Sequence, residues 1–213
     1  MTMLKRAALG AAVTAALFTA QAMATEAGDL KLRVGAAGVY PTGESEGIAA
    51  IGGGKVEVDS AWSLGLSLSY MLTDNIGIGV LGAYPFTHDV KGSGSASGLG
   101  DVAEITHLPP TVTVEYYFNN SSAFTPFVGA GLNYTFIYDE ETKGALNGTD
   151  LDVDDSWGYA LEAGLDYAIN DHWMVSGQIY YINIETEADS SAVGKFDVDV
   201  NPMVYFLSAG YKF

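Results

Sequence analysis

Large apolar side chains recur at every second position along this chain, in eight separate runs. They fall at Leu32, Val34 and Ala36; at Trp62, Leu64, Leu66, Leu68 and Tyr70; at Ile76, Ile78, Val80, Tyr84 and Phe86; and at Val112, Val114, Tyr116 and Phe118. The same spacing continues at Phe124, Val128, Ala130, Leu132, Tyr134 and Phe136, and again from Trp157 to Ile169. The last two sets are Trp173, Val175, Ile179 and Tyr181, then Met203, Tyr205, Leu207, Ala209, Tyr211 and Phe213. Successive strand side chains point to opposite faces, so this period predicts eight β-strands, each with one apolar face. No stretch carries the 3.6-residue period of an amphipathic helix, and the chain reads as all-β.

The connections alternate in length. "TDN" (Thr73 to Asn75), "NNSSA" (Asn119 to Ala123) and "NDH" (Asn170 to His172) are tight turns. Long stretches of Gly, Ser and acids lie near residues 41–59, 88–104, 139–150 and 187–196, and read as loops. This alternation predicts an eight-stranded antiparallel transmembrane β-barrel with short periplasmic turns and long extracellular loops. A secreted lipocalin-like barrel would also alternate, with its bulky face inward and a polar exterior. Here the second face is too small for that: Ser63, Gly65, Ser67 and Ser69 stand where a soluble exterior would carry Lys and Glu. Aromatics collect near strand ends, as two interfacial girdles require.

The first residues specify an address. Lys5 and Arg6 precede an apolar run from Ala7 to Ala20, and "AMA" (Ala22 to Ala24) is a small-residue cleavage site. Residues 1–24 are therefore expected to be a cleaved signal, and 25–213 a single barrel domain. All 26 acidic residues and 7 of the 9 basic ones follow that segment, leaving a formal charge of −19. Such a balance argues against nucleic acid, whose affinity rests on Lys and Arg. Without cysteine there is neither a disulfide nor a thiolate-bound metal. The ending "FLSAGYKF", an alternating strand with a terminal Phe, suits the outer-membrane insertion machinery. These features predict the outer membrane of a Gram-negative bacterium, with lipid bilayer and lipopolysaccharide as surroundings.

The loop lengths give each strand a direction and each inward residue a height. Arg33, Glu115, Asp166 and Lys212 point inward near the periplasmic end, with Ser69 beside them and Glu162 and Gln178 somewhat higher. Opposite charges in a narrow lumen can pair into a polar plug. Above them the inward positions are apolar: Leu81, Ile137, Tyr180, Ile182, Ile184, Val200, Val204 and Phe206. Eight strands permit either a filled interior or a pocket for one slender ligand, and the residues leave both open. Pro109 and Pro110 interrupt an otherwise regular strand, and Pro85 lies near their height. Lacking N–H groups, the pair removes one ladder donor towards the third strand and one towards the fifth. The interruption is a bulge or a lateral opening.

Several segments resemble the outer membrane protein W (OmpW) family: "YMLTDNIGIGVLGAYPFTH" (Tyr70 to His88), "HLPPTVTVEYYF" (His107 to Phe118), "PFVGAGLNYT" (Pro126 to Thr135), "DDSWGYALEAGLDYAIN" (Asp154 to Asn170), "YINIET" (Tyr181 to Thr186) and "NPMVYFLSAGYKF" (Asn201 to Phe213). The resemblance implies a narrow apolar channel for uptake of small hydrophobic molecules, with Leu81 and Tyr180 near its constriction; some family members assist alkane uptake. An apolar entrance above a polar plug then suggests sideways release into the membrane through the region of Pro85, Pro109 and Pro110. The alternative is a structural or receptor barrel with a sealed lumen, whose loops bind envelope partners or phage. A lipid-modifying enzyme would need a nucleophile beside a base. Of the three histidines, His88 and His107 flank one loop and could meet near Ser93, Ser95 and Asp101, yet no compact triad motif is present. No catalytic residue, cofactor or dedicated metal site is expected. The acidic pairs Glu44 and Glu46, Glu140 and Glu141, and Asp197 and Asp199, with the run from Asp150 to Asp155, read as solvated loops or as cation bridges to lipopolysaccharide phosphates.

Overall fold

A computed structural model describes residues 24–213; the expected signal segment, apart from Ala24, lies outside the described residues. Fourteen strands follow in order: β1 (Leu30–Tyr40), β2 (Lys55–Val58), β3 (Ala61–Met71), β4 (Ile76–Ala83), β5 (Phe86–Ser93), β6 (Asp101–Leu108), β7 (Thr111–Tyr117), β8 (Phe124–Thr142), β9 (Leu151–Val153), β10 (Ser156–Ala168), β11 (Trp173–Ile182), β12 (Glu185–Ser190), β13 (Gly194–Asp199) and β14 (Met203–Lys212). Eight of them close a ring in the order β1, β3, β4, β7, β8, β10, β11, β14, each antiparallel to its neighbours, and β14 pairs back to β1. Closure leaves no free edge, which the hydrocarbon layer would not tolerate.

The outward faces carry the apolar stripe read from the sequence. Leu64, Leu132 and Leu207 are each exposed by more than 60%, sensible only where lipid is the solvent. Tyr40, Trp62, Tyr84, Phe136, Trp157 and Tyr205 cluster towards the extracellular end of this stripe. Phe118, Phe124, Trp173 and Phe213 do so at the periplasmic end, so both girdles are present. The periplasmic turns are tied by side chains: Thr73 Oγ1 accepts from Ile76 N at 2.9 Å and Asn170 Oδ1 from Trp173 N at 2.8 Å.

The long extracellular stretches are not open loops. They continue the wall upward as β2, β5, β6 and the top of β8 on one side, and as β9, β12 and β13 on the other. Ser45 bridges the halves, donating its backbone N–H to Val56 O at 3.1 Å and pairing with Val198. The reason is apolar content hidden among Gly, Ser and acids: Ile48, Val56, Val90, Val102 and Ala103 are buried together, with Ile51, Leu146, Leu151 and Phe196 packed against them.

One inward assignment changes. Phe86, in phase with the lipid-facing Ile76, Ile78 and Val80, turns inward and is 2% exposed, whereas Tyr84 is 75% exposed. The strand is broken at Tyr84 and Pro85, between β4 and β5, and the break reverses the alternation, because one residue of slip swaps the faces.

Candidate functional site

The lumen has three storeys. In the lowest, β1 turns Lys31 and Arg33 inward, both essentially unexposed. The Asp166 carboxylate accepts from Arg33 Nε at 3.2 Å and Nη2 at 2.8 Å, and from Lys31 Nζ at 3.3 Å. Arg33 also donates to Ser69 Oγ at 2.8 Å and to Tyr117 Oη at 3.0 Å; both hydroxyls donate on to Glu115, at 3.0 and 2.8 Å. Glu162 sits higher, accepting from Gln178 Nε2 at 2.7 Å and Thr113 Oγ1 at 3.0 Å. Tyr117 stacks on Phe127, with the Lys31 ammonium 3.8 Å from the Tyr117 ring centroid.

Arg33, Glu115 and Asp166 thus share one buried network, and Glu162 sits above it in a separate cluster with Thr113 and Gln178. Lys212 joins neither. Its cross-strand neighbour is Lys31, a like charge, and its ammonium turns to the rim, pairing with Asp29 at 3.2 Å and with Ala24 O at 3.1 Å. The second buried cation is Lys31, which shares the inward parity of Arg33 and was legible by that parity alone. Glycines make room for the acids: a Cβ on Gly79 would lie 1.9 Å from Glu115 Oε1, and one on Gly129 2.9 Å from Glu162 Oε2.

The middle storey is apolar and packed. Leu81, Tyr180, Ile182, Ile184, Val204 and Phe206 form one buried cluster with Ala37, Val39, Phe86 and Ala160, and Val200 leans against it. The void here, beside Leu81, Gly82, Ala83 and Pro109, is about 10 Å³, room for about one water. Ile137 stands apart, higher up, against Val153, Ala188 and Val198.

The uppermost storey is the basin enclosed by the extracellular strands. A cavity of about 80 Å³ lies among Ile48, Val90, Val102, Ile105, Leu151 and Phe196, with Ile137 and Val200 also on its wall. Composition alone had not shown it, because its lining residues come from four separate stretches without common periodicity.

Beside the middle storey the wall ladder is interrupted. Pairing between β4 and β7 ends at Leu81 with Thr111, and pairing between β5 and β6 begins at Phe86 with His107. Residues 82–85 and 108–110 face each other unpaired. The break is one-sided. Towards β8, Tyr134 N donates to Pro110 O at 3.1 Å and Leu108 pairs with Phe136, because proline keeps its carbonyl acceptor while losing its donor.

On the upper lip of this interruption, above the aromatic girdle, His88 and His107 meet with their Nε2 atoms 2.8 Å apart. His88 Nδ1 lies 2.5 Å from the backbone oxygen of Asp59. That oxygen only accepts, so His88 carries its proton on Nδ1 and receives the His107 Nε2–H. Burial and the neighbouring His88 push His107 down to about 3; burial also lowers His88, against the pull of the Asp59 carbonyl. Neither ring is hydrogen-bonded to a carboxylate or to Ser93 or Ser95 among the described residues.

A closed ring of eight lipid-facing strands with a filled polar base defines an outer-membrane β-barrel. Residues 26–213 match the OmpW family, and the chain belongs to that family. Outer membrane protein W of Vibrio cholerae serotype O1 is 44% identical over 218 residues, covering 99% of this chain and all of that protein. The crystal structure of OprG from Pseudomonas aeruginosa superposes with a TM-score of 0.82 at 38% identity, over 90% of this chain and 99% of that one. The dibenzothiophene metabolism operon protein PahQ of Pseudomonas aeruginosa is 29% identical over 165 residues, 76% of each chain. The protein resides in the outer membrane of a Gram-negative bacterium.

Proposed function

We propose that the barrel takes up small hydrophobic molecules, collecting them in the apolar basin and releasing them sideways into the membrane between residues 82–85 and 108–110. The observation that carries this reading is a vertical one. The basin leads down to a packed apolar floor and then to Lys31, Arg33, Glu115, Glu162 and Asp166, while the one interrupted seam described above lies level with that floor.

A solute entering the basin gains roughly 0.8 kcal/mol per buried CH₂. Going straight down it would have to separate buried ion pairs, whose charges would then lack partners. Moving sideways it needs only the Leu81, Phe86 and Pro109 side chains to part, across a seam with no ladder hydrogen bonds to break. The operon name of PahQ, which refers to an apolar fused-ring heterocycle, agrees with such a cargo class.

The test restores the missing donors. Pro109→Val with Pro110→Thr is expected to lower the rate at which an apolar fluorescent dye reaches the membrane, in cells or in vesicles containing the purified barrel. Undiminished transfer by a stably inserted variant refutes the lateral route.

A further inference from the structure

We infer that the His88–His107 pair is an acid-sensitive latch on the upper lip of the seam, closed when both rings are neutral and opened by protons. This rests on the lateral-release reading for its use, though not for its existence. The pair joins three elements. Asp59, just before β3, holds His88 of β5, and His88 holds His107 of β6, 19 residues away and level with Phe86, the first pair above the unpaired seam. Phe86 covers the rings, with centroids 6.3 Å from His88 and 5.6 Å from His107.

Proton counting makes the latch one-way. Closed, the line between the two Nε2 atoms holds a single proton. A second proton placed there turns both atoms into donors facing each other at 2.8 Å, which breaks the bond. A first extra proton can go only to the free Nδ1 of His107, which keeps the single proton on the line but leaves a charge in an apolar setting. Opened to water, the rings accept two protons near the ordinary histidine value of about 6.5.

The surrounding charges do not rescue the closed, protonated pair. Asp59 turns its carboxylate to Lys91. On β5, Asp89 is paired with Lys143 at 3.1 Å, and on β6, Glu104 is paired with the same Lys143 at 2.6 Å. Between β9 and β10, Asp155 accepts from Tyr134 Oη at 2.6 Å and Ile137 N at 2.8 Å. Each of these carboxylates is already engaged, and Phe86 and the partner ring pack against each imidazole.

Linkage fixes the sign: the open state binds more protons, so acid favours it. Between about pH 7 and about pH 5 the open-to-closed ratio should rise about 25-fold for one proton taken up, and up to several hundred-fold for two.

Amide exchange of the barrel in lipid bilayers, corrected for the intrinsic pH dependence of exchange, reads this directly. Residues 86–88 and 105–107 should open by at least the one-proton factor, whereas the histidine-free hairpin of residues 185–199 should not. In His88→Gln/His107→Gln, where amides can still bond but cannot titrate, the acid response should vanish. An unchanged response in that variant, an equal response in residues 185–199, or no response in the parent overturns the inference. Apolar dye transfer measured on the same samples separates the two readings. Acid-driven exchange with flat transfer keeps the latch and discards lateral release; acid-driven exchange with faster transfer supports both.

Discussion

Replacing Asp166 with Asn removes one charge from the base of the lumen and almost no volume. In the parent this carboxylate takes two hydrogen bonds from Arg33 and one from Lys31, at 2.8 to 3.3 Å, and all three side chains are buried. After the change Arg33 keeps Ser69 and Tyr117, while Lys31 keeps no carboxylate within bonding distance. Removing one partner of a buried pair typically costs about 3–5 kcal/mol, because the remaining charge stays desolvated. A loss in that range is expected in urea unfolding of barrels refolded into lipid vesicles, followed by the fluorescence of Trp62, Trp157 and Trp173, which face lipid. Two companions give the measurement meaning. Lys212→Gln breaks a pair with side chains 16% and 15% exposed, and should cost no more than about 1 kcal/mol. Lys31→Met added to Asp166→Asn removes the orphaned ammonium, and should recover part of the loss rather than add to it. If Asp166→Asn costs no more than Lys212→Gln, or the double variant is additive, the base is not an electrostatic unit.

Two further outcomes follow from the glycine cradle and from the basin. Gly79→Ala drives a Cβ to 1.9 Å from Glu115 Oε1 and should destabilise by about 1–3 kcal/mol in the same assay, whereas Gly82→Ala, with nothing within 4 Å, should be close to neutral. Val102→Asp places a carboxylate on the basin wall and should abolish binding of an apolar dye in a fluorescence titration while the barrel still inserts; retained binding would show that the dye sits elsewhere.

The chain's alternation determined the eight strands of the barrel wall, their lipid-facing stripe, the direction of each and the parity that puts Arg33, Glu115, Glu162 and Asp166 inside, but not the extracellular strands that it left as loops. Those properties are local, set by a two-residue period and by loop length. Which inward residues touch was not local. Lys212 shares the inward parity but lies opposite Lys31 at the rim, and only the tertiary structure shows that its ammonium pairs with Asp29 rather than with the buried acids. Tertiary structure likewise decided the phase reversal that buries Phe86. It also decided the one-sidedness of the break at Pro109 and Pro110, and the assembly of Ile48, Val90, Val102 and Phe196 into one basin. The 2.8 Å meeting of His88 and His107 belongs with these. The physical reason is common to all of them. A strand's pattern fixes which face a side chain occupies, while closure of the ring and the registers between neighbouring strands fix its height and its partners.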